Sequence, residues 1–532
     1  MIERTLLPMI STFRIRLPAR IWRALPIAAV SLVCAPVMGA TFYVSPEGSD
    51  RGGKGTREAP WQTIGHGVSR LSGGDTLVVR DGLYQGTANF INSRLTPIAS
   101  GTRAKPTVIR AENPLKVRIR NDRPLKYYDS MVMLGKDVRE VVVDGFVLDM
   151  VDTVFPPFVA DMAGDANTLK RIIVRRQGRV DNYGGWIAIG GSDNLVEDCA
   201  GVGAARYGFF AGGNTGRSQR NIFRRCVGRF DFSASPQPKA TFAVYGNDDG
   251  HDVSHFLLQN CIAIDGQRGP RSGEETYAGF YFPKNASDVT VQGSLALNLD
   301  VAYAGFFIRE LGGRRIRLEN SVAWHVHGSD HVAGFRINGR TNDSVSIDRV
   351  TVGATRYGYY NRDKGSGNSL TRSLFVDIQR RAAETDAGWS AQSENLFFER
   401  PAKGWPAGSP TPSMKLRYLT QPRVQDLASN APSTVGAVLT QRYGKSGARW
   451  GDPGFDQPTG EPLWPWAMEA QIHAVFSEPN DPAEGNVPAA NDTRRGFAGA
   501  VDAFGQPQTL TRYVWQFLGH PMPAQLQAPA VR

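Results

Sequence analysis

The stretch GFYFPKN (residues 279–285) decides the fold, because versions of it return down the middle of the chain. They read GWIAIGG (185–191), GFFAGGN (208–214), FAVYGND (242–248), GFFIREL (305–311), GFRINGR (334–340) and YGYYNRD (357–363), with starts 23 to 37 residues apart. A second phrase falls between them: VEDCAG from 196, FRRCVG from 223, LQNCIA from 258, VQGSLA from 291, LENSVA from 318 and IDRVTV from 347. Two phrases in fixed order, each built of alternating apolar residues, are what a coil of several short strands produces when every strand stacks on its copy in the coil below. Leucine-rich and helical repeats need other apolar spacings, and a propeller needs blades of roughly forty residues with four strands each. The expectation is an all-β chain, a single-stranded right-handed parallel β-helix. The uneven intervals place the insertions in turns, which in solenoids gather on one face and build the binding surface.

The bulk composition agrees. The 532 residues are 41% hydrophobic and 21% charged, with 58 Gly and 33 Pro, a globular composition rich in strands and turns. Arg14, Arg16, Arg20 and Arg23 precede an apolar run from Leu25 to Met38 that ends in Gly39 and Ala40, the pattern of an export signal over residues 1–40. The run is broken by Pro26 and Pro36 and falls short of the roughly 20 residues of a spanning helix, so cleavage and a periplasmic or secreted location are expected. Without residues 1–40 the formal charge of +11 becomes +7. A basic exported protein suits an acidic polysaccharide as partner better than nucleic acid, and no stable membrane insertion and a monomer are expected. Cys199, Cys226 and Cys261 share one repeat position continued by Ser294 and Ser321, which reads as a column of small buried side chains. Asn260 and Asn320 share another position, and read as a ladder bonding neighbouring coils.

The mature chain opens TFYVSPEGSD (41–50), then GTREAPWQTIGHGVSRLSGGDTLVVRDGLYQG (55–86), and GTRAKPTVIRAE follows at 101–112. Ile64, Val68 and Leu71 line one face of a short helix suited to covering an open coil end. This opening resembles the start of many bacterial β-helix proteins, including polysaccharide lyases of the pectate-lyase-like superfamily. The β-helix is expected over 41–400. Residues 401–532, with PAKGWPAGSPTPS near their start and Trp464, Trp466 and Trp515 further on, show no coil period. They are expected to form an irregular extension packed on the β-helix or capping its end.

Aligning the first phrase brings Asn247 and Asp248, then Lys284, then Arg309 and Glu310, then Asn338, then Arg362 to one stripe at the strand ends. With neighbouring coils about 4.8 Å apart, side chains from three coils can meet one sugar. YGNDDGHD (245–252), followed by Lys284 after a GF strand, resembles the calcium-dependent lyases of the family 9 pectate lyase kind. That resemblance implies that Asp248, Asp249 and Asp252 bind Ca²⁺ and that Lys284 is the base. β-Elimination from a uronate removes a weakly acidic C5 proton beside a carboxylate that must first be neutralised, by a hard cation or by Arg. A cation nearby would also lower the Lys284 pKa. Arg309 and Arg336 suit the substrate carboxylate, and Tyr281, Glu310, Asn338, Arg362 and His331 complete the expected binding surface. The same DDGHD reads equally as a Gly turn whose carboxylates satisfy backbone donors, and His325 and His327, or His251 and His255, carry no carboxylate at a definite metal spacing.

A hydrolase would need two carboxylates about 5 to 9.5 Å apart, for which Asp249 with Glu310 or Asp363 qualifies. The ordered NTD, DD, GHG and RIK phrases of polygalacturonases are missing, as is the DPHD of β-helix alginate epimerases. A hydrolase, a C5-epimerase and a noncatalytic polysaccharide-binding or export protein stay open beside the lyase.

Overall fold

The computed structural model describes residues 39–123, 125, 129–151, 158–176, 184–203, 205–212, 217–230, 238–246, 252–266, 277–301, 303–309, 314–338, 344–361, 367–385, 391–398, 435–478, 497 and 506–518. The export signal expected over residues 1–40 therefore lies outside the described residues, apart from Gly39 and Ala40. So do Asp248, Asp249, His251, Glu310, Arg362 and Asp363.

Each coil contributes three short strands to three parallel sheets. The first sheet runs from Thr41–Val44 to Ala391–Ser393 and takes in Leu195–Glu197, Arg217–Arg224, Asp252–Gln259, Ser287–Gln292 and Arg317–Glu319. The second takes in Ile173–Arg176, Ala200–Gly203, Val227–Phe230, Ile262–Ile264, Leu295–Val301 and Val322–Gly328. The third holds the Gly-aromatic phrase, in Gly185–Ile189, Tyr207–Gly212, Ala240–Tyr245, Ala278–Pro283, Ala304–Arg309 and Ala333–Asn338. The long strand Thr351–Asn361 bridges the second and third sheets. This is the parallel β-helix that the two alternating phrases predict, and parallel crossovers of this kind are right-handed almost without exception.

The aromatic of the phrase points into the coil. Phe209, Phe242, Phe280, Phe306 and Phe335 stack ring on ring, with centroids 4.8, 4.9, 4.5 and 4.7 Å apart and planes within 10°. Such contacts add about 0.5–1.5 kcal/mol per pair beyond burial. The glycine before it stands where the wall of the core leaves no room, since a Cβ on Gly334 would lie 2.4 Å from Val352 Cγ1. GWIAIGG is the exception in register: Gly185 pairs with Tyr207, so Ile187, not Trp186, aligns with Phe209. Trp186 fits the interior because Gly201 and Gly208 surround it, a Cβ on Gly201 falling 2.3 Å from its Cε3.

The second phrase turns the corner from the first sheet to the second. Asp198, Arg225, Asn260, Asn320 and Arg349 sit there with φ between 50° and 54°, an uncommon backbone for such residues. The N–H of each donates to the next coil, as in Arg225 to Gln259 O at 2.8 Å and Asn260 to Gln292 O at 2.7 Å. Cys199, Cys226 and Cys261 follow that corner residue and are fully buried, unpaired thiols. Ser294 and Ser321 extend the column, Ser294 Oγ accepting from Cys261 N at 3.1 Å.

Of the ladder expected at Asn260 and Asn320, one long bond to the neighbouring coil is present, Asn260 Nδ2 donating to Gly293 O at 3.4 Å, and the other amide bonds go elsewhere. The Asn260 amide bonds Gln441 O and Tyr443 N, and Asn320 bonds Val438. The coil-to-coil ladder stands at the entry to the first sheet instead, where Asn194 Oδ1 accepts from Asn167 N at 2.8 Å and Asn221 Oδ1 from Asn194 N at 2.9 Å.

Residues 435–478 and 506–518 pack on this corner and on the second sheet. Gly447 N donates to the buried Glu197, whose oxygens also meet Arg224 at 3.1 Å and Arg225 at 2.9 Å. Burial pushes the Glu197 carboxyl up, but Arg225, Arg224, Lys170 and the Gly447 N–H together hold it below its ordinary value. Helix Glu469–Ser477 lies beside Arg229, which donates to Phe476 O at 2.8 Å. From helix Leu510–Phe517, Tyr513 donates to the buried Asp265. Trp464, Trp466 and Trp515 are buried within this layer.

Candidate functional site

Along the third sheet, alternate residues leave the core and form an outer row. One line of that row reads Asp161, Ala188, Phe210, Ala243, Tyr281, Phe307, Arg336 and Tyr360 on successive coils. Tyr281 stacks on Phe307 at 5.6 Å and Tyr303 on Phe307 at 4.9 Å. The Arg336 guanidinium lies 4.6 Å from the Tyr303 ring and 4.8 Å from the Tyr360 ring, and it donates to His331 O at 3.2 Å. Cation–π contacts of this kind contribute about 0.5–2 kcal/mol and restrict the guanidinium between the two rings.

Further toward the strand ends, Pro283, Arg309 and Asn338 form the next line. Lys284 follows Pro283 with φ 57°, and its N–H donates to Arg309 O at 3.2 Å. Its ammonium lies 5.2 Å from the centre of the Tyr245 ring. Lys284, Arg309 and Arg336 thus occupy three consecutive coils, roughly 10 Å along the coil axis at the usual strand spacing. Lys284, Arg309 and Asn338 are half-buried and His331 is exposed, its ring 6.4 Å from Tyr357 and parallel to it. Phe158, Phe210, Tyr245 and Tyr303 are partly exposed along the same row. Tyr207, whose phenol burial pushes up to about 12, stands beside Phe210 at 4.9 Å and under Arg206.

Asp252 opens the first-sheet strand Asp252–Gln259. Its carboxylate accepts from Gln219 and, at 2.7 Å, from Ser254. Gly246, which follows the strand ending at Tyr245, neighbours the FPKN residues: its N–H donates to Pro283 O at 3.3 Å, and a Cβ on it would lie 2.5 Å from Asn285 N. Among the described residues no three His, Cys, Asp or Glu side chains gather to hold a metal. His325 and His327 stand on the second sheet, with rings 4.8 Å apart and His325 against Phe517, away from the aromatic row.

Sequence reasoning missed Tyr207, Tyr245, Tyr303, Phe307 and Asp161. The signal for Phe307 was present, one place after the stacked Phe306, where Arg336 also stands. Burial pushes the Asp161 carboxyl up to about 6, against the opposing influence of Arg94.

The fold and this row define a parallel β-helix with an aromatic, cation-bearing outer face. No protein-family model matches the chain. It is 40% identical over 75 residues to pectate lyase PEL9 of Emericella nidulans, covering 14% of this chain and 17% of that one. It is 28% identical over 111 residues to the uncharacterized protein YwoF of Bacillus subtilis, covering 21% and 22%. The matched stretches thus span about a fifth of the length of these curated relatives. Among solved structures the similarity is one of fold alone. A rhamnogalacturonan lyase superposes with a TM-score of 0.43 at 17% identity, over 67% of this chain and 87% of that chain. Pectate lyase Pel9A gives 0.39 at 15% identity, over 71% and 82%. No helix among the described residues is long and apolar enough to cross a membrane.

Proposed function

We propose that the protein is an exported polysaccharide lyase that cleaves a uronate-containing polysaccharide by β-elimination on the outer row of the third sheet. The observation that carries this reading is the presence of Lys284, Arg309 and Arg336 on consecutive coils, in adjacent lines of one face, beside an aromatic floor of Tyr245, Tyr303 and Phe307. Aromatic rings stack on the apolar faces of sugars, and the cations meet carboxylates.

In the reaction the Lys284 amine takes the C5 proton of the uronate. The C5–H electron pair becomes the C4–C5 double bond, and the C4–O bond breaks with its electrons leaving on oxygen, which is then protonated. Arg309 and Arg336 bind the carboxylate beside C5 and stabilise the charge that grows there as the proton leaves. The oxygen donors of Asp248, Asp249 and Asp252 have the hard character that suits Ca²⁺. The Gln219 and Ser254 bonds orient Asp252 as outer-shell partners orient a ligand. A bound Ca²⁺ would supply further neutralisation of the substrate carboxylate.

Incubation of the full chain with a panel of uronate polymers tests the reading. The expected outcome is growth of the ultraviolet absorbance of unsaturated ends, lost in Lys284→Ala and reduced by chelator. Reducing ends formed without that absorbance would establish the hydrolase instead. Polymer bound but unchanged would establish a noncatalytic role.

A further inference from the structure

A second groove of about 620 Å³ lies on the outer face of the first sheet, on a different wall of the coil from the aromatic row. Its floor comprises Thr290, Arg317 and Ser346 in one line and Glu319, Asp348 and Thr371 in the next. These residues come from four successive coils, so the floor is roughly 15 Å long at the usual strand spacing, the length of a short oligosaccharide rather than of a single small molecule. One wall is Trp450, supplied by the segment that packs on the corner. Its ring stands against His255 at 5.9 Å and is propped by Phe455 at 5.2 Å.

Most charges in the groove are already matched. Arg315 forks onto Asp288 with two bonds of 2.6 Å, and Arg372 forks onto Asp348 at 2.8 and 2.6 Å. Glu319 accepts from Gln292 at 2.6 Å. Arg315 holds the Asp288 carboxyl below its ordinary value, so it remains an acceptor. Arg317 differs: it is exposed, and among the described residues its guanidinium has no ion-pair or hydrogen-bond partner. The groove therefore offers one uncommitted guanidinium, fixed carboxylate and hydroxyl acceptors on both sides of it, and an indole at its rim. That set matches a sugar chain carrying a carboxylate, with a ring on the indole, hydroxyls on Asp288, Glu319 and Asp348, and the acid group on Arg317.

We infer that this groove is a second, noncatalytic binding site for an acidic oligosaccharide, built jointly by the first sheet and the C-terminal segment through Arg317 and Trp450. The inference does not rest on the lyase reading. A polymer long enough to reach both walls would gain affinity through the second site without any change at the first.

Calorimetric titration of the full chain with hexagalacturonate, in the Lys284→Ala background so that no turnover intervenes, tests it. Binding at one class of site is expected to weaken at least tenfold on adding Arg317→Ala or Trp450→Ala, and to be largely kept in Arg317→Lys. Arg336→Ala is expected to leave that class intact, so failure of the lyase reading and failure of this one are separable. A titration unchanged by Arg317→Ala in a variant with unaltered thermal melting would overturn the proposal. So would hexagalacturonate that does not bind, or cellohexaose that binds as tightly and with the same response to Arg317→Ala.

Discussion

Arg336 lies against the rings of Tyr303, Phe307 and Tyr360 and donates to His331 O. An ammonium has neither the plane nor the fork of a guanidinium, so Arg336→Lys is expected to act nearly like Arg336→Ala. Both should lower kcat/KM on uronate polymer by about 10–100-fold, as the loss of a charge-assisted contact of about 1.5–3 kcal/mol implies. Initial rates at several substrate concentrations check this. Lys284→Ala should cost more, about 10²–10⁴-fold in kcat, as removal of a general base does. Asp161 gives a prediction of stability. Its carboxyl has its ordinary value of 3.8 raised to about 6 in the fold, so the neutral form is the one the fold favours. The fold therefore carries no penalty from Asp161 below pH 3.8, a growing one as pH rises toward about 6, and the full one above it. Asp161→Asn should raise the melting temperature relative to the native chain above about pH 6 and lose that advantage below pH 3.8; melting curves at both pH values decide it. Lys284 and Arg336 were legible in the sequence because their phrase repeats. Tyr303 was not, since it precedes its phrase and meets Arg336 only through stacking of the coils.

At the scale of the strand, the repeat revealed the aromatic stack but misplaced the asparagine ladder. Asn167, Asn194 and Asn221 recur at intervals of 27 residues, each followed by two apolar or near-apolar residues, a pattern as regular as the one at Asn260 and Asn320. The difference is local. The corner residues Asn260 and Asn320 adopt a left-handed backbone, with φ of 51° and 52°, and their amides face the C-terminal segment. Asn194 has its amide turned back onto its neighbours, with Nδ2 donating to Gly164 O at 3.0 Å. Asn194→Ala would leave buried backbone donors and acceptors without partners and should cost about 1–3 kcal/mol. Phe280→Ala opens the stack between Phe242 and Phe306 and should cost about 3–5 kcal/mol. Denaturant unfolding of the two variants measures both.

For the whole molecule, the three sheets have different surroundings. The corner between the first and second sheets is held by Asn260, Asn320, Glu197 and Arg224, all bonded to residues 438–455, and the second sheet by Asp265 and Arg229, bonded to Tyr513 and Phe476. These contacts join residues more than 100 positions apart without any repeat, which is why they left no trace in the sequence. Ending the chain at residue 434 would remove partners from the buried Glu197, Arg224 and Asp265 and uncover the apolar outer face of the second sheet. A large uncovered apolar face of that kind is an aggregation site, so the shortened chain should sediment as aggregate where the full chain does not. The third sheet keeps its aromatic row with the cations of Lys284, Arg309 and Arg336. Mass spectrometry of the products from a defined uronate oligomer tests that assignment most directly. Cleavage by β-elimination requires that the two product masses sum to the mass of the substrate, with Lys284→Ala forming them at least about 100-fold more slowly. Products whose masses sum to substrate plus one water would contradict the account.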